Sequence, residues 1–201
     1  GYEIGIDLET TVWRHEAGLF PPLVGADRRM HGDLISGVAI KVEDVDHFLQ
    51  INGLAKKIIP VGVPGGQLRM ALIDSTNNGG VWIGKRHGFT GFTPPAVTSE
   101  QISAAAVHFE RFQNRQRKFD DPAEGFAHAR QLIHEAQADL EVDWVTDRFF
   151  AAERIYWQSR NRAGQAQYAR QQRLGLGWAN HDHHTYRSSR ASFQDLISNL
   201  E

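Results

Sequence analysis

The sequence contains no cysteine. Disulfide bonds, thiolate zinc sites and cysteine nucleophiles are therefore excluded, and any metal ion must be bound by histidine, carboxylates, carbonyl groups or water. No apolar run approaches the roughly 20 residues that span a bilayer. The net charge is −2 at pH 7, whereas a protein that coats nucleic acid or an anionic membrane needs a large positive charge. We therefore expect a cytoplasmic protein that has neither nucleic acid nor a membrane as its partner.

The length of 201 residues is enough for one medium domain or two small ones. Composition changes near Pro94-Pro95, from glycine, proline and β-branched residues to long helix-like stretches. The predicted organisation is a β-rich α+β domain over 1–95, a helical region over 96–178, and a histidine-rich segment with a terminal helix over 179–201.

Periodicity predicts the elements of the first part. Residues 2–13 alternate between apolar and polar side chains, which predicts one strand. Downstream, the patterns predict strands over 34–42, 57–63, 68–74 and 80–84, and a short helix over 43–52. The fold class is therefore α+β, with a small, mainly antiparallel sheet that contains a βαβββ module, followed by long helices.

Capping signals predict where the helices begin. Thr98 with Gln101 three residues later has the spacing of a capping box, and this helix should run to about residue 119. Asp121-Pro122 predicts the start of a second helix that ends near residue 140. A third helix should start near residue 143 and continue to about 173, where Gly175 and Gly177 would stop it.

The segment Asn180-His181-Asp182-His183-His184 has three of the ten histidines of the chain. Neutral imidazole is the commonest metal ligand, so His181, His183 and His184 are candidate ligands of a divalent metal such as iron, manganese, zinc or nickel. Asp7 and Glu9, two apart on the predicted first strand, are candidates for a further ligand or a catalytic base. Alternatively, the histidines lie at a solvated turn and the carboxylates form a polar surface.

The string Gly5-Ile6-Asp7-Leu8-Glu9 resembles the first motif of the DEDD-type 3′–5′ exonucleases, in which a strand bears Asp-x-Glu. The resemblance implies that the two carboxylates bind two magnesium ions, which would stabilise the attacking and leaving oxygens of a phosphodiester. Later motifs of that family are imitated only in fragments: Phe119-Asp120 and the segment 134–139 lie too close together.

The region 34–84 contains the segments Gly37-Val38-Ala39-Ile40-Lys41-Val42 and Asn52-Gly53-Leu54. With these segments it resembles one module of the vicinal-oxygen-chelate, or glyoxalase-like, superfamily. The resemblance implies two paired modules that enclose a metal bound by a histidine on the first strand and a glutamate near the end of the fourth. This module has Ser36 or Gly37 in place of the histidine and no glutamate in 80–84, so it should not bind metal by itself. The segment 183–186 with the helix-like 193–200 resembles the opening of another module. A generic antiparallel α+β sheet explains the same pattern.

Basic side chains suggest where an anion would bind. Lys85 and Arg86 belong to a glycine-containing segment, 84–93, that should form a loop, and Arg187 follows the histidines. In the predicted third helix, arginines alternate with aromatic residues, as in nucleic-acid binding. The stronger interpretation is a core-facing stripe, since Val145, Phe149, Ala152 and Tyr156 recur at helical spacing.

The leading hypothesis is a metal-dependent, glyoxalase-like enzyme that acts on a small oxygenated molecule. His181, His183 and His184 would bind the metal, Asp7 or Glu9 would be a ligand or base, and Lys85, Arg86 and Arg187 would bind an anionic substrate. A nuclease that uses Asp7 and Glu9 and a non-catalytic interaction module are the alternatives. An incomplete final module would expose a strand edge, so we also expect a homodimer.

Overall fold

In this computed structural model, the structure describes residues 2–7, 10–15, 23–25, 35–76, 79–86, 94–178 and 186–200. The chain divides into two compact units. The first unit comprises residues 1–97 and 162–181, and the second comprises 98–161 and 182–201. Every helix among the described residues is too short or too polar to cross a membrane.

The first unit is built on one mixed sheet. Its strands are β1 (Tyr2–Asp7), β2 (Thr10–His15), β3 (Leu23–Gly25), β4 (Ile35–Lys41), β5 (Leu68–Thr76) and β6 (Gly79–Arg86). The order is β1-β2-β3-β4-β6-β5, and only the β4–β6 pair is parallel. The α+β class and the mainly antiparallel sheet predicted from the sequence are confirmed.

The prediction of one strand over 2–13 is wrong. β1 ends at Asp7, and β2 starts at Thr10 and pairs with β1 in antiparallel register, with Asp7 opposite Thr10. A period of two is the same in one long strand and in two short ones, so alternation alone does not locate a reversal of the chain. Asp7 and Glu9 therefore do not share one strand, and Glu9 lies outside the described residues.

A short helix, α1 (Val45–Ile51), follows β4 and packs on the sheet. Asp44 caps it, because its Oδ1 accepts a hydrogen bond of 2.8 Å from the backbone N–H of His47. The core between α1 and the sheet is fully buried and consists of Val42, Val45, Leu49, Ala71 and Ile83. Burial of these aliphatic side chains fixes β4, β5 and β6 against the helix.

The strand predicted over 57–63 is reduced to a single bridge. Val61 and Met70 exchange backbone hydrogen bonds of 2.8 and 3.0 Å. Pro60 and Pro64 have no N–H to donate. Gly62 has a φ of +89°, and a Cβ there would lie 2.4 Å from the carbonyl oxygen of Leu68. Regular strand pairing therefore stops on both sides of Val61. The alternation of apolar and polar residues does not indicate this interruption.

The second unit is helical, with α2 (Ser99–Asn114), α3 (Pro122–Gln137), α4 (Val142–Gln158) and the short α6 (Phe193–Ser198). Both predicted caps are present. Thr98 and Gln101 form the capping box, and Asp121 accepts from the backbone N–H of Ala123 at 2.9 Å. The helices bury Ala105, Phe112, Ala129, Leu132, Ala136, Leu140, Trp144, Val145 and Ala152.

The third predicted helix is two helices. α4 ends at Gln158, and α5 (Arg162–Gln172) belongs to the first unit. α4 has the predicted core face, with Val145 and Ala152 buried, whereas α5 has no buried residue. The apolar stripe therefore ends where α4 does, and the polar residues of 159–161 separate the two helices.

Candidate functional site

A cavity of about 460 Å³ lies within the second unit. It is lined by residues of α3, α4 and α6, by the segment 115–119 that follows α2, and by Tyr186 and Arg187. Pockets that bind small molecules generally enclose 300–1,000 Å³, with mostly apolar walls and a few polar groups. Six aromatic residues line this one: Phe119, Phe126, Phe149, Tyr156, Trp157 and Tyr186.

A buried carboxylate and two arginines form the polar part of the wall. Glu153 is 5% exposed, on the core-facing side of α4. Its Oε1 accepts hydrogen bonds from Arg115 Nη2 at 3.0 Å and from Arg117 Nη2 at 2.8 Å. Both guanidinium groups are mostly buried, with 13% and 10% of the side chains exposed. Two positive charges on one carboxylate leave this cluster with an excess of positive charge.

Arg117 also closes the end of α2. Its guanidinium donates to the carbonyl oxygens of Gln113 at 2.8 Å and Phe112 at 3.1 Å, where the helix leaves carbonyl groups without intrahelical partners. The same group lies 4.0 Å from the ring centroid of Tyr156, and the guanidinium of Arg160 lies 3.7 Å from that centroid. Tyr156 is therefore held by two cations.

Tyr186 and Arg187 contribute the wall from the end of the chain. The ring of Tyr186 lies 6.2 Å from that of Phe150. Burial, with the charge of Glu153 as a second cause, raises the pKa of Tyr186 to about 12, so the phenol is a neutral hydrogen-bonding group at physiological pH. Arg187 is exposed and makes no hydrogen bond or ion pair with the residues that the structure describes.

The terminal helix is fastened to α3 beside the cavity. Arg130 Nη1 donates to Ser198 Oγ at 2.9 Å, and Asn199 Nδ2 donates to the carbonyl oxygen of Phe126 at 3.3 Å. Asn199 Oδ1 is buried and has no hydrogen-bond partner among the described residues. Because Asn199 and Phe126 both line the cavity, these contacts help to define its shape.

The residues predicted as a site from the sequence are distributed over both units. Asp7 ends β1, and Lys85 and Arg86 lie in β6, so they do not belong to the predicted loop. Arg187 lines the cavity of the second unit. Glu9, His181, His183 and His184 lie outside the described residues, as does the loop segment 87–93. Within the described ranges, no group of three His, Asp or Glu residues could hold a metal ion.

Sequence reasoning missed Glu153, Arg115 and Arg117. One signal was present, because Glu153 adjoins Ala152 on the core-facing stripe of α4, between Phe149 and Tyr156. A carboxylate among core positions indicates a buried ionic partner. No sequence pattern identifies that partner, since Arg115 and Arg117 are 38 and 36 residues away.

No family model, curated protein or solved structure matches this chain.

Proposed function

We propose that this protein is a metal-dependent enzyme of glyoxalase-like build that acts on a small oxygenated molecule. The observation that carries the proposal is the cavity of the second unit. It has the size of a small-molecule pocket, and the donor groups of Arg187 and Tyr186 lie in its wall. Such donors bind the carbonyl, hydroxyl or carboxylate oxygens of a small organic substrate.

The histidines proposed as metal ligands are close to this wall along the chain. His183 and His184 precede Tyr186 by three and two residues. Imidazole nitrogen with a carboxylate suits iron, manganese, zinc or nickel, so the donor set fits such an ion.

The metal, when bound, would polarise a carbonyl or enediolate oxygen or lower the pKa of a bound water. His181, His183 and His184 would hold it, with Asp7 or Glu9 as a ligand or as the general base. The side chains of the cavity bind and orient the substrate and exclude water from it. Lys85 and Arg86 are proposed to attract an anionic substrate.

The glyoxalase-like build is supported by the order of elements in the first unit. β4, α1, β5 and β6 follow one another, and β4 lies beside β6 in the sheet. The remaining strand of the module is present only as the single bridge between Val61 and Met70. The short helix α6 comes after the histidine segment, at the position where the resemblance places the helix of another module.

The test is elemental analysis by mass spectrometry of the purified chain, beside a His181→Ala/His183→Ala/His184→Ala variant. We expect near-stoichiometric iron, manganese, zinc or nickel in the unaltered chain and its loss in the variant. His134→Ala is the matched control, because His134 is an exposed histidine of α3, and its metal content should equal that of the unaltered chain.

Absence of metal from the unaltered chain, after incubation with divalent ions, would overturn the proposal in favour of a non-catalytic interaction module. Magnesium-dependent cleavage of a phosphodiester that is lost in Asp7→Asn and Glu9→Gln would instead establish the nuclease.

A further inference from the structure

We propose that the cavity of the second unit binds a small aromatic carboxylate, with Arg187 as the anchor of the carboxylate and the aromatic side chains as the site of the ring. The assignment of this ligand as the substrate rests on the proposed function. The binding itself does not, because it requires only the side chains that line the cavity.

The aromatic side chains of the cavity indicate which non-polar group the ligand would have. Phe126 of α3 and Trp157 of α4 line the cavity. The ring of Phe149 packs edge-on against Phe112 at 5.4 Å and also contacts Phe150 at 5.8 Å, so it already belongs to the aromatic core. The ring of Tyr156 is already in contact with the guanidinium groups of Arg117 and Arg160. The ring of Trp157 packs edge-on against Tyr156 at 5.0 Å but stays 59% exposed. We take Phe126 and Trp157 as the side chains on which a planar ring would stack.

The charge of the wall determines the head group. Three arginines and one glutamate line the cavity, and Glu153 is already engaged by Arg115 and Arg117. An organic cation would be repelled by this wall, whereas an anion would be attracted. A neutral ring would leave the excess positive charge without compensation.

Among the arginines that line the cavity, Arg187 is the one without a hydrogen bond or ion pair to the residues that the structure describes. Arg115 and Arg117 have their guanidinium groups committed to Glu153 and to the end of α2. Arg187 has no such commitment to the described residues, and it lies in the wall beside the neutral phenol of Tyr186. A guanidinium binds a carboxylate through two parallel hydrogen bonds. The ligand would thus meet the guanidinium of Arg187 at its acidic end and apolar rings along its body.

The test is isothermal titration calorimetry of the full chain after removal of metal with EDTA. The probes are benzoate and 2-naphthoate, each compared with its uncharged methyl ester. We expect the carboxylates to bind at least about tenfold more tightly than the esters, because a charge-assisted hydrogen bond contributes about 1.5–3 kcal/mol. Arg187→Gln should weaken carboxylate binding by a similar factor and leave ester binding unchanged.

Arg190→Gln is the matched control, since Arg190 is an exposed arginine of the same segment that does not line the cavity. Its affinity for both carboxylates should equal that of the unaltered chain. Trp157→Ala should weaken 2-naphthoate more than benzoate, because the larger ring loses more stacking area. Arg187 and Trp157 are both exposed, so neither substitution removes a core residue.

Equal binding of ester and carboxylate, no binding of either carboxylate, or no effect of Arg187→Gln would each overturn the proposed ligand class. These results are independent of the metal analysis. Carboxylate binding in a chain that takes up no metal would support this site while refuting the enzyme. Metal uptake without carboxylate binding would refute the ligand class alone.

Discussion

Glu153 is a carboxylate among the apolar positions of α4, and Arg115 and Arg117 both donate hydrogen bonds to its Oε1. A buried ion pair contributes little net stability in comparison with an apolar core. Removal of one partner is costly, because the others remain buried without compensation. The cluster therefore fixes the arrangement of α2, α4 and the segment between α2 and α3, because any other arrangement would separate the buried charges and raise the free energy.

Glu153→Ala should lower the free energy of unfolding of the second unit by about 3–5 kcal/mol, because two buried guanidinium groups lose their carboxylate. Glu153→Gln should cost less, since its amide oxygen still accepts a hydrogen bond. Urea unfolding followed by far-ultraviolet circular dichroism measures both values.

Glu110→Gln is the control for that comparison, because Glu110 is an exposed carboxylate on α2. It should change stability by no more than about 0.5 kcal/mol. If Glu153→Ala were as mild as Glu110→Gln, the ionic cluster would have no structural role.

At the scale of the element, the starts of α2 and α3 were predictable because their signals are local. The capping box of Thr98 and Gln101 acts over three residues, and Asp121 acts over two. The strand over 57–63 was wrong because its regularity is broken by proline and by the contact of Gly62 with Leu68. The reversal between β1 and β2 was missed for a similar reason. The sequence between Asp7 and Thr10 has no glycine or asparagine, the residues that usually indicate a hairpin turn.

Thr98→Ala should lower the free energy of unfolding by about 1 kcal/mol, because the backbone N–H of Gln101 would lose its acceptor, Thr98 Oγ1. Thermal unfolding measured by circular dichroism should show a Tm lower by about 2–4 °C.

Thr146→Ala provides the contrast within a helix. Thr146 is exposed in α4, and its hydroxyl bonds the carbonyl oxygen of Val142 in the preceding turn. Alanine is the better helix former at such a position, so the Tm should be unchanged or slightly higher. An equal loss in both variants would mean that the cap has no special effect.

At the scale of the whole molecule, the candidate site was only partly predictable. Arg187 was expected to bind an anionic substrate, and it lines a cavity. The cavity itself depends on contacts between residues that are far apart in the chain, such as Asn199 with Phe126, and no local pattern indicates such contacts. The proposed metal ligands were predicted from composition alone, and they stay a prediction.

The expectation of a homodimer also belongs to this scale. Ile59, Val61 and Val63 are 90%, 48% and 43% exposed, on the segment that touches β5 through one bridge. Exposed apolar side chains beside an incompletely paired strand favour association with another chain. We expect a dimer in sedimentation velocity at micromolar concentration, and a monomer after Ile59→Lys/Val63→Lys.

Val107→Lys is the control, because Val107 is 54% exposed on α2 of the other unit. It should sediment like the unaltered chain. A monomer in the unaltered chain would contradict the prediction.

The division of the chain has a consequence for its synthesis. Each compact unit contains two separate stretches, so the chain passes from one unit to the other after residues 97, 161 and 181. When a ribosome has released residues 1–161, the first unit still lacks 162–178 and the cavity of the second unit still lacks the wall formed by Tyr186 and Arg187. Neither unit can therefore be completed as an early folding step during translation. For the same reason, no single cut in the gene yields either unit whole.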